Sequence, residues 1–160
     1  KQTDNRIGEA IIDRISIISK DTPLIPETAT IINANVGPVS LSGFTHEINN
    51  NILSLTLYWN STEPSLVDGV VFIHIYDETN NFILGHDSPP RQGTYPMGLW
   101  RPGEVIIDTH QIPIDELKNP KYNLHIGIYD PASGTRLHVV DNSGNNVLHN
   151  SLHMLELAIN

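Results

Sequence analysis

Two carboxylates and an imidazole share one face of a predicted strand. Glu104, Asp108 and His110 occupy alternate positions of the run from Glu104 to Gln111, and side chains of an extended chain alternate between two faces. Paired carboxylates of this kind catalyse glycoside hydrolysis. Extended backbone, however, separates Glu104 from Asp108 by about 13 Å, whereas hydrolase pairs lie roughly 5–9.5 Å apart. The spacing favours a solvated strand face, and we assign no catalytic residue.

Three histidines in predicted strands, His74, His110 and His125, are candidates for a metal site, because neutral imidazole is a common metal ligand. The chain has no His-x-His pair, no HExxH motif and no cysteine. We therefore favour the interpretation that these histidines are hydrogen-bonded within the fold or exposed to solvent, and do not bind a metal. The sequence indicates neither a metal nor another cofactor.

Four aspartates, Asp77, Asp87, Asp130 and Asp141, lie at the ends of predicted strands. Loop carboxylates of this kind can bind calcium. They can also accept hydrogen bonds from backbone N–H groups two residues further on and so stabilise turns. We favour the second role, because the neighbouring residues are turn formers.

Tyr95 and Trp100 lie in a loop rich in proline and glycine, from Gly93 to Asp108, which excludes a helix and interrupts any strand. Their rings could form a sugar-binding platform. The alternative, which we favour, is that both rings are buried and anchor the loop. Together with the acidic residues Asp87 and Asp108, they make up the candidate ligand-binding set. A carbohydrate-active enzyme would use the same two carboxylates.

Composition limits the setting and the partners. The chain has 160 residues, a formal net charge of −9 and no cysteine, so nucleic acid would be repelled and disulfides are excluded. No apolar run approaches the roughly 20 residues that span a bilayer, so we expect no membrane insertion by this segment. The chain opens at Lys1 without methionine, which suggests a processed chain or an excised fragment with a membrane segment upstream.

About nine short β-prone runs with turn signals between them predict an all-β fold, an antiparallel two-sheet sandwich of the immunoglobulin-like or jelly-roll-like kind. The clearest hairpin joins 39–48 to 52–59 across three asparagines, and the run 69–77 is expected to be central because it is apolar on both faces. We expect one domain over residues 1–160, with 39–160 as its core. Residues 1–38 would add N-terminal strands, including one over 9–19. A helix is the alternative there, since Ile11, Ile15 and Ile18 also fit a 3.6-residue period, but β-branched isoleucine favours the strand. Further runs are 30–36, 82–84, 104–111, 122–129, 136–140 and 154–159.

Five motifs, in this order, resemble a β-sandwich module at the C-terminal end of bacterial multi-spanning membrane proteins related to the dolichyl-phosphate-mannose mannosyltransferase-like glycosyltransferases. They cover roughly two thirds of the chain, from Leu41 to Val140. The motifs are LSGF at 41–44, LTLYW at 55–59, VFIHIYD at 71–77, DSPPRQGTYPMGLWRPGE at 87–104 and YNLHIGIYDPASGTRL at 122–137.

The resemblance implies a bacterial, extracytoplasmic accessory domain of unknown function with no active site of its own. It would be tethered to the membrane through a segment outside this chain. Its partners would be the membrane-embedded part of the parent protein and glycans. The chain departs from the family pattern after Asp77, where Asn80-Asn81 replaces a common glycine; asparagine tolerates the left-handed backbone that such a loop needs.

Overall fold

The computed structural model describes residues 25–159, which form nine β-strands with three short 3-10 turns and no α-helix in that part of the chain. The strand predicted over 9–19 lies outside the described residues. No helix within 25–159 is long and apolar enough to cross a membrane. The strands are β1 Thr30–Val36, β2 Val39–Asn49, β3 Ile52–Ser61, β4 Val70–Tyr76, β5 Phe82–Ser88, β6 Val105–Pro113, β7 Lys121–Tyr129, β8 Val139–Val140 and β9 Leu152–Ala158.

The strands form two antiparallel sheets that pack face to face. Sheet I has the order β6-β3-β2-β1-β8, and sheet II has the order β5-β4-β7-β9. The predicted all-β, two-sheet antiparallel sandwich is therefore confirmed. Strand β4 has a neighbour on each side, as the sequence predicted for the apolar run 69–77.

The hairpin between β2 and β3 follows directly from its asparagines. Asn50 and Asn51 have φ of 50° and 59°, the left-handed values that a two-residue type I′ turn requires and that asparagine tolerates. The register then runs without interruption from Asn49 opposite Ile52 to Phe44 opposite Leu57. The predicted hairpin is confirmed.

Alternate side chains of each strand fill the core between the sheets. On β3, the face predicted to be buried is buried, with Leu53, Leu55 and Leu57 enclosed completely. Burying each such side chain stabilises the fold by about 1.5–3 kcal/mol. From sheet II the core takes Ile73, Ile75, Leu124, Ile126 and Ile128.

The strand predicted at 136–140 is shorter than expected. Arg136 makes one bridge with Tyr129, and the Leu137 N–H donates to the Ile128 carbonyl, after which the chain leaves sheet II. Only Val139–Val140 form a strand, β8, and it pairs with β1 in sheet I. The pairing of this segment with β7 therefore ends just past the turn that joins them, and Arg136 stays over sheet II.

The loop between β5 and β6 carries the chain from the edge of sheet II to the edge of sheet I. Its last turn is closed by a hydrogen bond from the Glu104 N–H to the Arg101 carbonyl, and Gly103 has φ of 82°. Strand β6 begins at Val105, one residue after the start of the predicted run 104–111. Trp100 is buried within the loop, which holds a long irregular segment in one place.

Candidate functional site

Sheet II has an outer face, turned away from the core, that carries polar and aromatic side chains. On β4 the odd-numbered Val71, Ile73 and Ile75 are buried in the core, so Phe72 and His74 lie on the outer face. The register brings β5 and β7 residues beside them: Asp87 pairs with Phe72, and His125 pairs with His74.

A cavity of about 170 Å³ opens at one end of this outer face. Its base is the ring of Phe72, which is only 1% exposed. The ring lies above Gly127, since a Cβ at that position would come within 2.4 Å of Phe72 Cζ. The lining residues are Phe72, His74, Asp87, Tyr129, Gly134 and Arg136. We call this cavity the outer-face pocket.

Arg136 forms one wall of the outer-face pocket. Its guanidinium carbon lies 4.3 Å from the centroid of the Phe72 ring, a cation–π geometry, and its Nη1 donates to the His149 carbonyl at 3.0 Å. The turn that precedes it is closed by the Asp130 carboxylate, which accepts from the Ala132 N–H at 2.9 Å. These contacts hold the positive charge in a fixed position.

His74 joins the acidic and aromatic parts of the pocket. Its Nε2 lies 3.5 Å from Asp87 Oδ1, and its Nδ1 lies 3.4 Å from the Tyr76 hydroxyl. Burial lowers the pKa of His74 below its usual 6.5; the Asp87 carboxylate opposes this shift, and the charge of Arg136 adds to it. The imidazole is therefore neutral at neutral pH.

Asp87 and Tyr129 complete the polar lining. The Asp87 side chain keeps 42% of its surface exposed at the pocket rim. Burial raises the pKa of Tyr129, and the charge of Asp87 raises it further, so this hydroxyl is protonated at neutral pH. The pocket thus combines one carboxylate, one guanidinium, one neutral imidazole and one phenol over an aromatic base.

A row of rings continues from the pocket across sheet II. Phe82 is 56% exposed and meets His74 edge to face, with 5.2 Å between ring centroids. Tyr76 lies 5.3 Å from His125, which in turn lies 5.1 Å from His153. An extended ligand in the pocket would therefore meet further aromatic surface.

The structure separates the residues of the predicted ligand-binding set. Asp87 lines the outer-face pocket, whereas Tyr95, Trp100 and Asp108 do not. Trp100 is 3% exposed, and its Nε1 donates to the Tyr95 carbonyl at 3.0 Å. The Tyr95 hydroxyl donates to Glu104 Oε2 at 2.8 Å. Both rings are arranged as anchors of the loop.

The prediction of a solvated face on β6 is wrong for Asp108 and His110. Both are buried between the sheets, because Ile106 and Ile112 share their face and pack into the core. His110 Nε2 lies 2.9 Å from Asp108 Oδ2, and the His86 ring meets His110 edge to face at 5.4 Å. A carboxylate that orients an imidazole can form part of a catalytic site, but an enclosed pair has no route to a substrate.

The three histidines considered as metal ligands do not converge. His74 and His125 are neighbours on the outer face of sheet II, whereas His110 lies inside the sandwich on sheet I. Within residues 25–159, no group of three or more histidine, aspartate or glutamate side chains could hold a metal ion.

Asp77 and Asp141 close turns by the same set of hydrogen bonds. Asp77 Oδ1 accepts from the backbone N–H groups of Thr79 and Asn81, at 2.8 and 2.9 Å. Asp141 Oδ1 does the same with Ser143 and Asn145. The hydrogen bonds from Asn81 and Thr79 lower the pKa of Asp77 to about 2. Asp77, Asp130 and Asp141 have the capping role that the sequence favoured. That prediction is wrong for Asp87, which lies within β5 because the strand continues to Ser88.

Among the residues that line the pocket, the sequence indicated Asp87 as a candidate ligand-binding residue and His74 only as a candidate metal ligand. It did not indicate Phe72, Tyr129 or Arg136. One local signal was available, since alternation along β4 places Phe72 and His74 on the same face. Nothing local indicated that Arg136 would return over that face.

The chain matches no family model and no curated protein. Among solved structures, it is similar to the crystal structure of a provisionally assigned ApaA protein from Bordetella pertussis. The sequence identity is 14%, the match covers 80% of this chain and 93% of that chain, and the TM-score is 0.39.

Proposed function

We propose that this chain is a non-catalytic accessory domain of an extracytoplasmic envelope protein and that it binds carbohydrate on the outer face of sheet II. The observation that carries the binding role is the outer-face pocket, which Asp87 and Arg136 line and whose His74 contacts the exposed ring of Phe82 just outside it. Sugars are commonly bound by such a combination, because their hydroxyls need donors and acceptors while their C–H faces pack on rings.

The extracytoplasmic setting and the membrane-bound parent are supported by the resemblance of the motifs between Leu41 and Val140 to the modules of glycosyltransferase-related membrane proteins. A domain with such a role would place a bound glycan near the membrane-embedded part of its parent. The net charge of −9 is consistent with a partner other than nucleic acid.

The competing proposal is a carbohydrate-active enzyme that uses Asp87 and Asp108. Such an enzyme needs both carboxylates on one substrate, roughly 5–9.5 Å apart. Asp108 is completely buried between the sheets, whereas Asp87 is exposed on the outer face. The geometry favours binding over hydrolysis.

A calorimetric titration tests this proposal. The 160-residue chain is titrated with a panel of soluble bacterial glycans. We expect saturable binding to at least one glycan and no release of new reducing ends during prolonged incubation. Failure of every glycan to bind would contradict the proposal. Steady release of reducing sugar would favour the enzyme instead.

A further inference from the structure

We infer that the outer-face pocket takes a single neutral sugar ring, with Asp87 and Arg136 bound to neighbouring hydroxyls and Phe82 packed against the C–H face of the sugar. This inference rests on the proposed function and names the ligand class and the residues that select it. Four properties of the pocket support it.

The size of the pocket suits one ring. Its volume is about 170 Å³. Pockets for larger organic ligands run to about 300–1,000 Å³. A polysaccharide would therefore insert one terminal or branching residue and leave the rest of the chain on the row of rings outside.

The charge of the pocket favours a neutral ligand. A sugar acid drawn to Arg136 would also bring its carboxylate near that of Asp87, and an amino sugar drawn to Asp87 would bring its ammonium near Arg136, so attraction and repulsion would offset each other in both cases. A neutral diol can donate to the carboxylate and accept from the guanidinium at the same time. His74 is neutral at neutral pH, since burial lowers its pKa, and it adds no net charge.

The polar groups are held in place before a ligand arrives. Arg136 is fixed by the Phe72 ring at 4.3 Å and by the His149 carbonyl at 3.0 Å. Only one of its five N–H donors goes to that carbonyl. The backbone of Asp87 is fixed in strand β5, and its carboxylate lies 3.5 Å from His74 Nε2. A fixed arrangement of this kind reduces the side-chain entropy lost on binding.

The apolar contribution comes from Phe82. Its ring lies over Gly85, where an added Cβ would come within 3.0 Å of Phe82 Cζ, and it meets the His74 ring at 5.2 Å. More than half of the Phe82 side chain is nevertheless exposed. An exposed ring beside a polar pocket provides the flat surface on which a pyranose packs.

Two substitutions test the inference without disturbing the core. Asp87→Asn removes the negative charge from an exposed side chain, and Phe82→Ala removes the exposed ring. Asp115→Asn is the matched control, because Asp115 is an exposed turn carboxylate in the chain beyond β6 of sheet I. The ligands are methyl glycosides of glucose, mannose and galactose, with glucuronate and glucosamine as the charged probes.

We expect at least one neutral glycoside to bind with a dissociation constant in the millimolar range and to shift the amide resonances of Phe72, His74 and Arg136. Asp87→Asn should weaken this binding by about tenfold or more, as expected for a hydrogen bond to a charged group. Phe82→Ala should weaken it as well, and Asp115→Asn should not. Melting temperatures of Asp87→Asn and Asp115→Asn should match the parent, and that of Phe82→Ala should fall only slightly, because its ring packs on His74 and Tyr76 but is half exposed.

The outcomes separate this inference from the proposed function. If a glycan binds the parent chain but Asp87→Asn and Phe82→Ala bind it equally well, the pocket is not the site, and the carbohydrate-binding proposal survives alone. If glucuronate or glucosamine binds more tightly than every neutral glycoside, the ligand class is wrong. If no carbohydrate binds, both proposals fail.

Discussion

The buried carboxylate of Asp108 accepts a hydrogen bond from the backbone N–H of Arg91, with 2.6 Å between Oδ1 and N. Arg91 and the next residue, Gln92, have φ of 51° and 56°. Left-handed values are uncommon for residues other than glycine and store strain of the order of 1 kcal/mol or more each. Asp108 also faces His110, so one carboxylate ties β6 to the loop that joins the two sheets.

Asp108→Asn should therefore destabilise the fold. An amide has one acceptor and one donor in place of the two carboxylate acceptors, so the Arg91 N–H is left with a weaker, neutral acceptor and the contact with His110 Nε2 must reverse its donor and acceptor or break. We expect the free energy of unfolding to fall by about 2 kcal/mol in urea denaturation. Asp115→Asn, at an exposed carboxyl, should change the free energy of unfolding by less than about 0.5 kcal/mol. Equal effects at the two sites would contradict this role of Asp108.

Trp100→Ala tests whether the ring anchors the loop between β5 and β6. The side chain is 3% exposed and hydrogen-bonded to the Tyr95 carbonyl, so its loss should lower the free energy of unfolding by about 3–5 kcal/mol. Truncation of an exposed platform residue would leave stability nearly unchanged. Leu99→Ala is a suitable control, because Leu99 belongs to the same loop and is 62% exposed.

Trp59 and Trp100 should respond differently to replacement by phenylalanine. The Nε1 of Trp59 is buried and has no hydrogen-bond partner among the described residues, whereas that of Trp100 is bonded. An unsatisfied buried donor costs about 1–3 kcal/mol, and Trp59→Phe removes it. We expect Trp59→Phe to be less destabilising than Trp100→Phe by about 2 kcal/mol in chemical denaturation. A larger loss for Trp59→Phe would show that its N–H is satisfied.

Gly127→Ala should disturb the base of the outer-face pocket. The new Cβ would lie 2.4 Å from Phe72 Cζ and 2.8 Å from the Asn150 carbonyl oxygen, so ring or backbone must move. We expect a loss of about 1–3 kcal/mol in unfolding free energy, together with weaker binding of the neutral glycoside. Gly98→Ala is the matched control, since its nearest neighbour is the carboxylate tip of Asp68 at 3.0 Å. That carboxylate accepts from the Gly98 N–H and needs to shift by only a few tenths of an ångström.

Stability should fall as the pH drops below the usual pKa of histidine. Burial lowers the pKa of His74, His86 and His125 below 6.5. The unfolded chain then binds protons before the folded chain does, so the stability present above pH 6.5 is lost as the pH falls toward the lowered values. Neighbouring charges modify this effect of burial. Asp87 raises the pKa of His74 and of His86, and Asp108 raises that of His86 as well. Nearby histidines lower the pKa of His86 and His125, and Arg136 lowers that of His74 and His125.

Melting temperatures between about pH 7 and about pH 5, at constant ionic strength, measure this effect. We expect a clear decrease in the parent chain and a smaller one in His125→Gln. His46→Gln, which replaces an exposed histidine, should show the same decrease in melting temperature as the parent chain. A melting temperature that rises toward pH 5 would show that the carboxylates beside these histidines outweigh burial.

The local chemistry of the sequence predicted most of the strands and turns. Asn50 and Asn51 indicated the hairpin because asparagine tolerates positive φ, and Leu53, Leu55 and Leu57 indicated the buried face of β3 because extended side chains alternate. Trp100 was expected to be buried. Each of these inferences depends on residues a few positions apart, where propensity and periodicity act.

The tertiary structure alone decided which residues meet. Asp108 was expected on a solvated face because its spacing from Glu104 does not suit a catalytic pair, but packing of β6 on the loop gave it two partners and enclosed it. The outer-face pocket draws on β4, β5 and the turn after β7, so it exists only once the sheet has paired and the chain has crossed from Arg136 to β8. Periodicity along one strand specifies two faces, but contacts between distant strands determine which face is buried and which side chains converge, and these contacts depend on packing that no local pattern encodes.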